Sequence, residues 1–375
     1  MKILVAYVPA GAGHQRAAEA VAAAFHQLQV SAEVTVVDAL DGVSRFYRWV
    51  FTEGYLRMIH QVPFLWGLLY HLTDIRAFQK PVEWIHRTSN RDLGRGFEAY
   101  LQETQPDIVI GTHFFPMETA GALKAQGKIS SRLITVITDY MPHALWITPR
   151  IDDYVVVCER TRRELITRGV PDGIIHILGI PVDLKFAKRE NRAALIRQMG
   201  LDPDRFTILV GSGGAGTGPI LSLVTALGTI REPVQLMVVT GRNTHLFQRL
   251  AEMRHKFPHP VKMFGFINNM DELMEASDLV VSKPGGLTCT EALAKGVPLV
   301  LTAAIPGQET RNARILVEMG AAVLDGNIRE IPKVVARLIN DRGTLERMAR
   351  AAKTASRPFA AADIVKLAID AKTPS

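Results

Sequence analysis

The sequence predicts an α/β protein of two doubly wound parallel-sheet domains. Three observations predict it. Apolar runs of strand length recur along the 375 residues, each leads through a Gly-rich or polar turn into a segment with helical spacing, and the rhythm stops and restarts once. Strands that alternate with helices are covered on both faces, so they read as continuous apolar runs rather than as alternating ones.

The first run, at 3–8, leads through Gly11-Ala12-Gly13-His14 into an Ala-rich helix from residue 15 to about 28. Behind Lys2 it also admits a signal-peptide reading, but it is shorter than the roughly 7–15 apolar residues such a segment needs. A second run, at 34–37, ends at Asp38, and further runs lie at 108–110, 133–138 and 154–157. A charged stretch with Gly200 and Pro203 then reads as a linker, placed at 188–205. The rhythm resumes with runs at 207–210, 234–239, 261–264, 279–282 and 298–302. This assigns 1–187 to one domain, 206–356 to a second and 357–375 to a C-terminal helix. An insert at about 43–104 breaks the alternation and is expected to be helical.

With 47% apolar and 22% charged residues the chain is globular rather than disordered. Two cysteines, Cys158 and Cys289, are too few for a disulfide framework and fit a reducing, intracellular setting. A net charge of +7 favours anionic partners without choosing among them. No nucleic-acid motif supports that class of partner. No stretch approaches the roughly 18 apolar residues of a membrane span, so any membrane contact is expected to be peripheral. The insert holds ten of the 26 Phe, Tyr and Trp residues between Phe46 and Trp84, interleaved with arginines. That mixture suits an acidic membrane interface, with Trp49, Trp66, Arg48 and Arg57 as its expected contacts; it equally suits a helical subdomain with its own core.

Gly11-Ala12-Gly13-His14-Gln15-Arg16 follows a strand and opens a helix, a place where backbone N–H groups attract an anion. Arg16 stands where a dinucleotide fingerprint needs its third glycine, although Asp38 ends the second strand as a ribose-binding acid would. His14, at the strand's C-terminal end, is placed to act as a general base or to cap and pack. His113 and His143 also follow first-domain strands and either line a cleft or are structural. In the second domain the glycine-rich loop at 211–218 follows a strand, yet the next strand ends in Thr240-Gly241 with no ribose acid. It reads as a loop that lets a phosphate or a facing domain approach the backbone, or as a plain turn. Lys283-Pro284-Gly285-Gly286-Leu287-Thr288 joins a strand to another helix start, and Glu291 just beyond it could reach a ribose diol or merely complement the helix dipole. Polar Gln308, Glu309, Thr310 and Arg311 follow the next strand, the kind of group that sugar hydroxyls need. Asp202-Pro203-Asp204 reads as a turn, and no cluster has metal-ligand spacing.

The order of these motifs, together with Val-Ile-Thr-Asp at 136–139, Thr-Gly-Arg-Asn at 240–243, Gly-Phe-Ile at 265–267 and Pro-Gly-Gln-Glu at 306–309, resembles the monogalactosyldiacylglycerol synthase and processive diacylglycerol glucosyltransferase family. The likeness spans about 3–370 and is most specific over 265–312. Ala12 replaces a family glycine, and Cys289 stands where a small Gly- or Val-like residue is more usual. The resemblance implies a GT-B fold, with two Rossmann-like domains facing a central cleft and a C-terminal helix returning to the first. It implies an inverting transfer of a hexose from a UDP-sugar to diacylglycerol, without a metal or other cofactor, at the inner face of the cell membrane. Another lipid-linked acceptor and UDP-sugar 2-epimerisation are the alternatives. By the same resemblance the backbone at Phe266 and Ile267 would hold the uracil and Glu291 the ribose. Arg242 with the loops at Gly213-Gly214 and at Gly285, Gly286, Leu287 and Thr288 would hold the diphosphate, and Gln308 and Glu309 the hexose. His14, oriented by Asp139, would be the base.

Overall fold

The computed structural model describes residues 1–41, 43, 48–49, 54, 58, 61–74, 95–214, 216, 218–302 and 304–370. The chain divides into two compact units. Unit 1 comprises Met1–Leu184, Ile305–Gln308 and Phe359–Ser375, and unit 2 comprises Lys185–Ala304 and Glu309–Pro358.

Unit 1 is a six-stranded parallel sheet of β1 (Lys2–Tyr7), β2 (Glu33–Asp38), β3 (Ile108–Gly111), β4 (Arg132–Val136), β5 (Asp153–Val156) and β6 (Ile175–Ile177), in the order β2-β1-β3-β4-β5-β6. Its described helices are α1 (Ala12–Gln27), α2 (Pro63–Asp74), α3 (Arg95–Thr104), α4 (Phe114–Ala125), α5 (Glu159–Thr167) and, from the far end of the chain, a helix at Ala360–Asp370. The period of two in a strand sorts the core into two layers. Leu4, Ala6, Val109 and Leu133 pack on one face with Phe97, Leu101, Phe115 and Leu123. Ile3, Val5, Ile108, Ile110 and Val155 pack on the other, with Ala18, Val21 and Phe25 of α1 and Ile364 and Val365 of the C-terminal helix. The run considered as a signal peptide is therefore β1, paired on both sides.

Unit 2 repeats the plan with β7 (Phe206–Gly211), β8 (Val234–Val239), β9 (Val261–Phe264), β10 (Leu279–Ser282), β11 (Leu299–Leu301) and β12 (Ala322–Leu324), in the order β12-β11-β10-β7-β8-β9. Its helices are α6 (Arg192–Gln198), α7 (Ile220–Leu227), α8 (Thr244–Glu252), α9 (Met270–Glu275), α10 (Gly286–Lys295), α11 (Gln308–Glu318), α12 (Ile331–Asn340) and α13 (Arg342–Ala355), the first residue of α11 belonging to unit 1.

The stretch read as a linker is not one. Residues 188–205 belong to unit 2 and contain α6, whose Leu195 and Ile196 are buried. Its charges are used locally. Arg189 donates to the carbonyls of Lys295 at 2.7 Å and Ala294 at 3.1 Å, Lys295 Nζ donates to the Lys188 carbonyl at 2.6 Å, and Arg192 pairs with Asp278 at 2.6 Å. In Asp202-Pro203-Asp204 the Asp204 N–H donates to Asp202 Oδ1 at 3.0 Å, a side-chain-closed turn.

Candidate active site

In an open parallel sheet, ligands bind beyond the carboxyl ends of the strands where the strand order reverses, because the loops diverge there. Unit 1 reverses between β1 and β3, and unit 2 between β7 and β10. The motifs singled out above fall on these loops.

In unit 1, His14 lies in the first turn of α1. Its Nδ1 is 2.8 Å from the Thr112 carbonyl oxygen and 2.9 Å from Thr138 Oγ1. A carbonyl only accepts, so Nδ1 carries the proton and Nε2 is the lone-pair nitrogen. Thr112 Oγ1 donates back to the His14 carbonyl at 2.9 Å, which ties this turn to the end of β3. Burial lowers the His14 pKa below the ordinary histidine value, while the Asp139 charge and the Thr112 hydrogen bond oppose the shift, leaving the ring neutral at neutral pH. His113 meets it edge-on at 4.8 Å between ring centroids. His113 caps α4 by accepting the Phe115 N–H at 3.2 Å, and burial together with the neighbouring His14 holds its pKa well below the usual value.

His14 and His113 both line a cavity of about 470 Å³. His14, His113, Asp139 and Trp146 line it from the core of unit 1, and Trp49, Met58, Trp66 and Tyr70 from the insert. Helix α2 is held there by its C-terminal end. Asp74 accepts two hydrogen bonds from Arg168 at 2.7 and 3.1 Å and one from the Ala144 N–H at 2.8 Å. His143 accepts the Leu145 N–H on Nδ1 at 3.1 Å, so its Nε2–H donates to the Tyr70 carbonyl at 3.0 Å. His143 thus both lines the cavity and fastens α2 to the loop after β4.

The other expected residues have definite surroundings. Gln308, expected on the sugar of the donor, is in unit 1, lines this cavity and donates to Asp139. Trp66 turns into the cavity rather than to the outside. Arg48, expected on an anionic surface, pairs with Asp38 at 2.6 Å and with Asp41 at 3.0 Å, and Asp38 is itself buried and caps the Leu40 N–H at 2.9 Å instead of standing open to a ribose. Trp49 is 41% exposed and lines the cavity. Arg57 lies outside the described residues. Thr112 and Thr138, which fix the His14 ring, were not singled out; Thr138 stands in the Val-Ile-Thr-Asp motif, but nothing local to Thr112 points to it.

In unit 2 the site is built from backbone. The loop after β7 and the turn after β8 interlock: the Arg242 N–H donates to the Gly214 carbonyl at 3.0 Å and Asn243 Nδ2 to the Gly216 carbonyl at 3.1 Å. Gly216 has φ +62° and a Cβ there would sit 1.8 Å from the Thr240 carbonyl oxygen, while at Gly241, φ +57°, a Cβ would meet the Gly214 carbonyl at 2.4 Å. Only glycine allows this approach. Gly213 shares the loop, also at positive φ. The Arg242 guanidinium lies 4.9 Å from the centre of the Phe266 ring, which is 48% exposed, and Ile267 follows it, half-buried.

Across the switch point α10 starts directly after β10. Its N-cap, Gly285, makes no side-chain cap, so no cap side chain takes up the first-turn N–H groups of Gly286, Leu287 and Thr288 at the positive end of the helix dipole. Glu291 is buried in the second turn of α10, and Glu309, also buried, pairs with Lys283 at 3.0 Å. Cys289 is buried in α10: burial and then the charges of Glu309 and Glu291 push its thiol pKa far up, so it is an inert filler of the helix. Among the described residues no group of three or more His, Cys, Asp and Glu is arranged to hold a metal ion.

Two six-stranded parallel-sheet units, one carrying a histidine-lined cavity and the other glycine loops beside a helix start, have the plan of a GT-B glycosyltransferase. Two crystal structures share the fold over nearly the whole chain. Acinetobacter baumannii MurG superposes with a TM-score of 0.64 at 16% identity, covering 98% of this chain and 99% of that one. Anabaena Alr3699/HepE in complex with UDP gives 0.60 at 16% identity, covering 99% and 100%. Residues 14–182 match the monogalactosyldiacylglycerol (MGDG) synthase family and residues 206–365 the glycosyltransferase family 28 C-terminal domain. A processive diacylglycerol β-glucosyltransferase of Bacillus mycoides is 30% identical over 365 residues, 97% of this chain and 92% of its own length. The chain belongs to this family of glycolipid-synthesising glycosyltransferases. Among the described residues no helix is long and apolar enough to cross a membrane.

Proposed function

We propose that the protein transfers a hexose, glucose being the sugar in its relatives' name, from a UDP-sugar to the free hydroxyl of diacylglycerol, with inversion at the anomeric carbon, as a peripheral protein at the inner face of the cell membrane. The observation that carries the reading is the His14 ring, held through Nδ1 so that Nε2 carries the lone pair, in the lining of a unit 1 cavity rich in aromatic side chains. In this reading Nε2 takes the proton of the acceptor hydroxyl while its oxygen bonds to the anomeric carbon. The bond from that carbon to the diphosphate oxygen breaks, and UDP leaves. Asp139 stabilises the imidazolium that forms, the same effect by which its charge raises the His14 pKa. In unit 2, Glu291 would hold the ribose diol, and the first turn of α10 with Arg242 the diphosphate, dipoles and charge fixed in advance where negative charge accumulates.

The test supplies radiolabelled UDP-glucose, and UDP-galactose in parallel, with and without dispersed diacylglycerol. The reading predicts label in an organic-soluble glycolipid only when the lipid is present. Release of free sugar or conversion of the nucleotide sugar alone, with no glycolipid from either donor, contradicts it.

A further inference from the structure

Helix α2 has two unlike faces. At about 100° per residue, Trp66, Gly67, Tyr70 and Thr73 fall on one side, and Trp66, Tyr70 and Thr73 line the cavity beside His14. Phe64, Leu65, Leu68 and Leu69 fall on the other, where they are 83%, 44%, 45% and 40% exposed. From Gln61 to Thr73 the sequence has no Asp, Glu, Lys or Arg, the exposed His71 is the one polar side chain beside Phe64 on the outer face, and the one acid of the helix, Asp74, is held by Arg168. An outward helical face with large apolar groups and no charge is the reverse of a soluble protein's usual pattern, and such patches mark contact with a partner or a membrane.

We propose that the outer face of α2 lies in the surface of a lipid bilayer. The inference rests on the reading that the acceptor is diacylglycerol, and it adds where that acceptor enters. The same helix presents its inner face to the cavity, so a lipid whose tails stay in the bilayer against Phe64, Leu65, Leu68 and Leu69 has its polar end next to the cavity with His14. The cavity of about 470 Å³ falls within the range of small-molecule pockets; the glycerol end enters it and the tails remain in lipid. Arg48 is already paired with Asp38 and Asp41, so the contact on α2 is apolar rather than ionic. Asp74 and His143 anchor the C-terminal end of α2, which keeps the helix rigid as it meets the surface.

The test replaces Phe64, Leu65, Leu68 and Leu69 together by Gln in the full chain, residues whose exposure lets the fold persist, checked by an unchanged thermal transition. Phosphatidylcholine vesicles with 5–10 mol% of diacylglycerol, roughly, serve as the probe, since hydrophobic partitioning does not fall with salt whereas attraction to charged lipid does. The parent is expected to co-sediment with them in low and high salt alike. The variant should bind at least tenfold more weakly and lose at least tenfold in glycolipid formation from vesicles, while transfer to a water-soluble short-chain diacylglycerol stays within about twofold. A folded variant that binds and glycosylates the vesicles as the parent does overturns the inference, as does parental binding that vanishes in high salt. If the parent glycosylates neither acceptor, the reading of the substrate fails instead.

Discussion

The two switch points are built from different material. Unit 1 surrounds a cavity with side chains from distant parts of the sequence: His14 after β1, His113 after β3, Asp139 and Trp146 after β4, Trp66 and Tyr70 from the insert. Unit 2 offers mainly backbone, two glycine loops locked at Gly216 and Gly241 and an uncapped helix start at Gly285, with Glu291 buried behind it. Side chains suit a step that must move a proton and admit an apolar acceptor. Backbone N–H groups suit a ligand that is always anionic, because they are fixed donors that do not titrate.

The largest effect that would sharpen this contrast is the loss of His14. If it is the base, His14→Ala lowers the rate of glycolipid formation by about 10²–10⁴-fold, read in a steady-state assay with saturating donor. A rate within a few-fold of the parent would move the proton transfer to another group. In unit 2 the comparable break is in the backbone. Gly216→Ala must displace Thr240 or the loop, and strain of about 1–3 kcal/mol is expected to appear as weaker UDP binding in calorimetry with the unit still folded. Glu291→Ala is expected to cost about 1–3 kcal/mol of UDP affinity, the range for a hydrogen bond to a charged group.

Smaller effects probe the electrostatics of unit 1. Asp139 raises the His14 pKa against the burial that lowers it, so Asp139→Asn lowers it further. A base must be deprotonated, so the acidic limb of the kcat/KM profile should move to lower pH while the plateau rate falls because the imidazolium has lost its counter-charge. A limb that moves up or stays would break the assignment. Both His14 and His113 have depressed pKa values, so the folded state binds fewer protons than the unfolded chain below the ordinary pKa of about 6.5. Their contribution to stability is therefore complete above that pH and is lost as pH falls through the folded values. His113→Asn should flatten the acid side of a melting-temperature profile, the smallest change of the set.

The same contrast governs what could be read in the sequence. The glycine loops were legible because their requirement is local: a strand, then glycines, then a helix start. The strands were legible where the apolar run is long. β8, β9 and β10 have the expected ends and the three-residue β11 lies within the run read at 298–302, whereas β6 and β12, equally short, were missed, neither being followed by a Gly-rich turn and helix that would mark it. The stretch at 188–205 looked like a solvated linker since its cations were visible and their acceptors, Asp278 and the carbonyls closing α10, were not. The cavity was the least legible part. Histidine at position 14 was visible, but Thr112, almost a hundred residues on, fixes its tautomer, and Gln308, more than 150 residues beyond Asp139, donates to it. Trp66 and Phe64 look alike as interfacial aromatics; only the turn of α2 sends one inward and the other out.

The division of labour between the units is tested most directly by titrating UDP into two variants by calorimetry and measuring the turnover of each. His14→Ala should bind UDP with the parent's affinity and turn over at least a hundredfold more slowly, an outcome that separates base from donor site. Glu291→Ala should lose about 1–3 kcal/mol of UDP affinity and recover much of its turnover at high donor concentration. Loss of UDP affinity in His14→Ala, or parental affinity in a folded Glu291→Ala, would contradict the account.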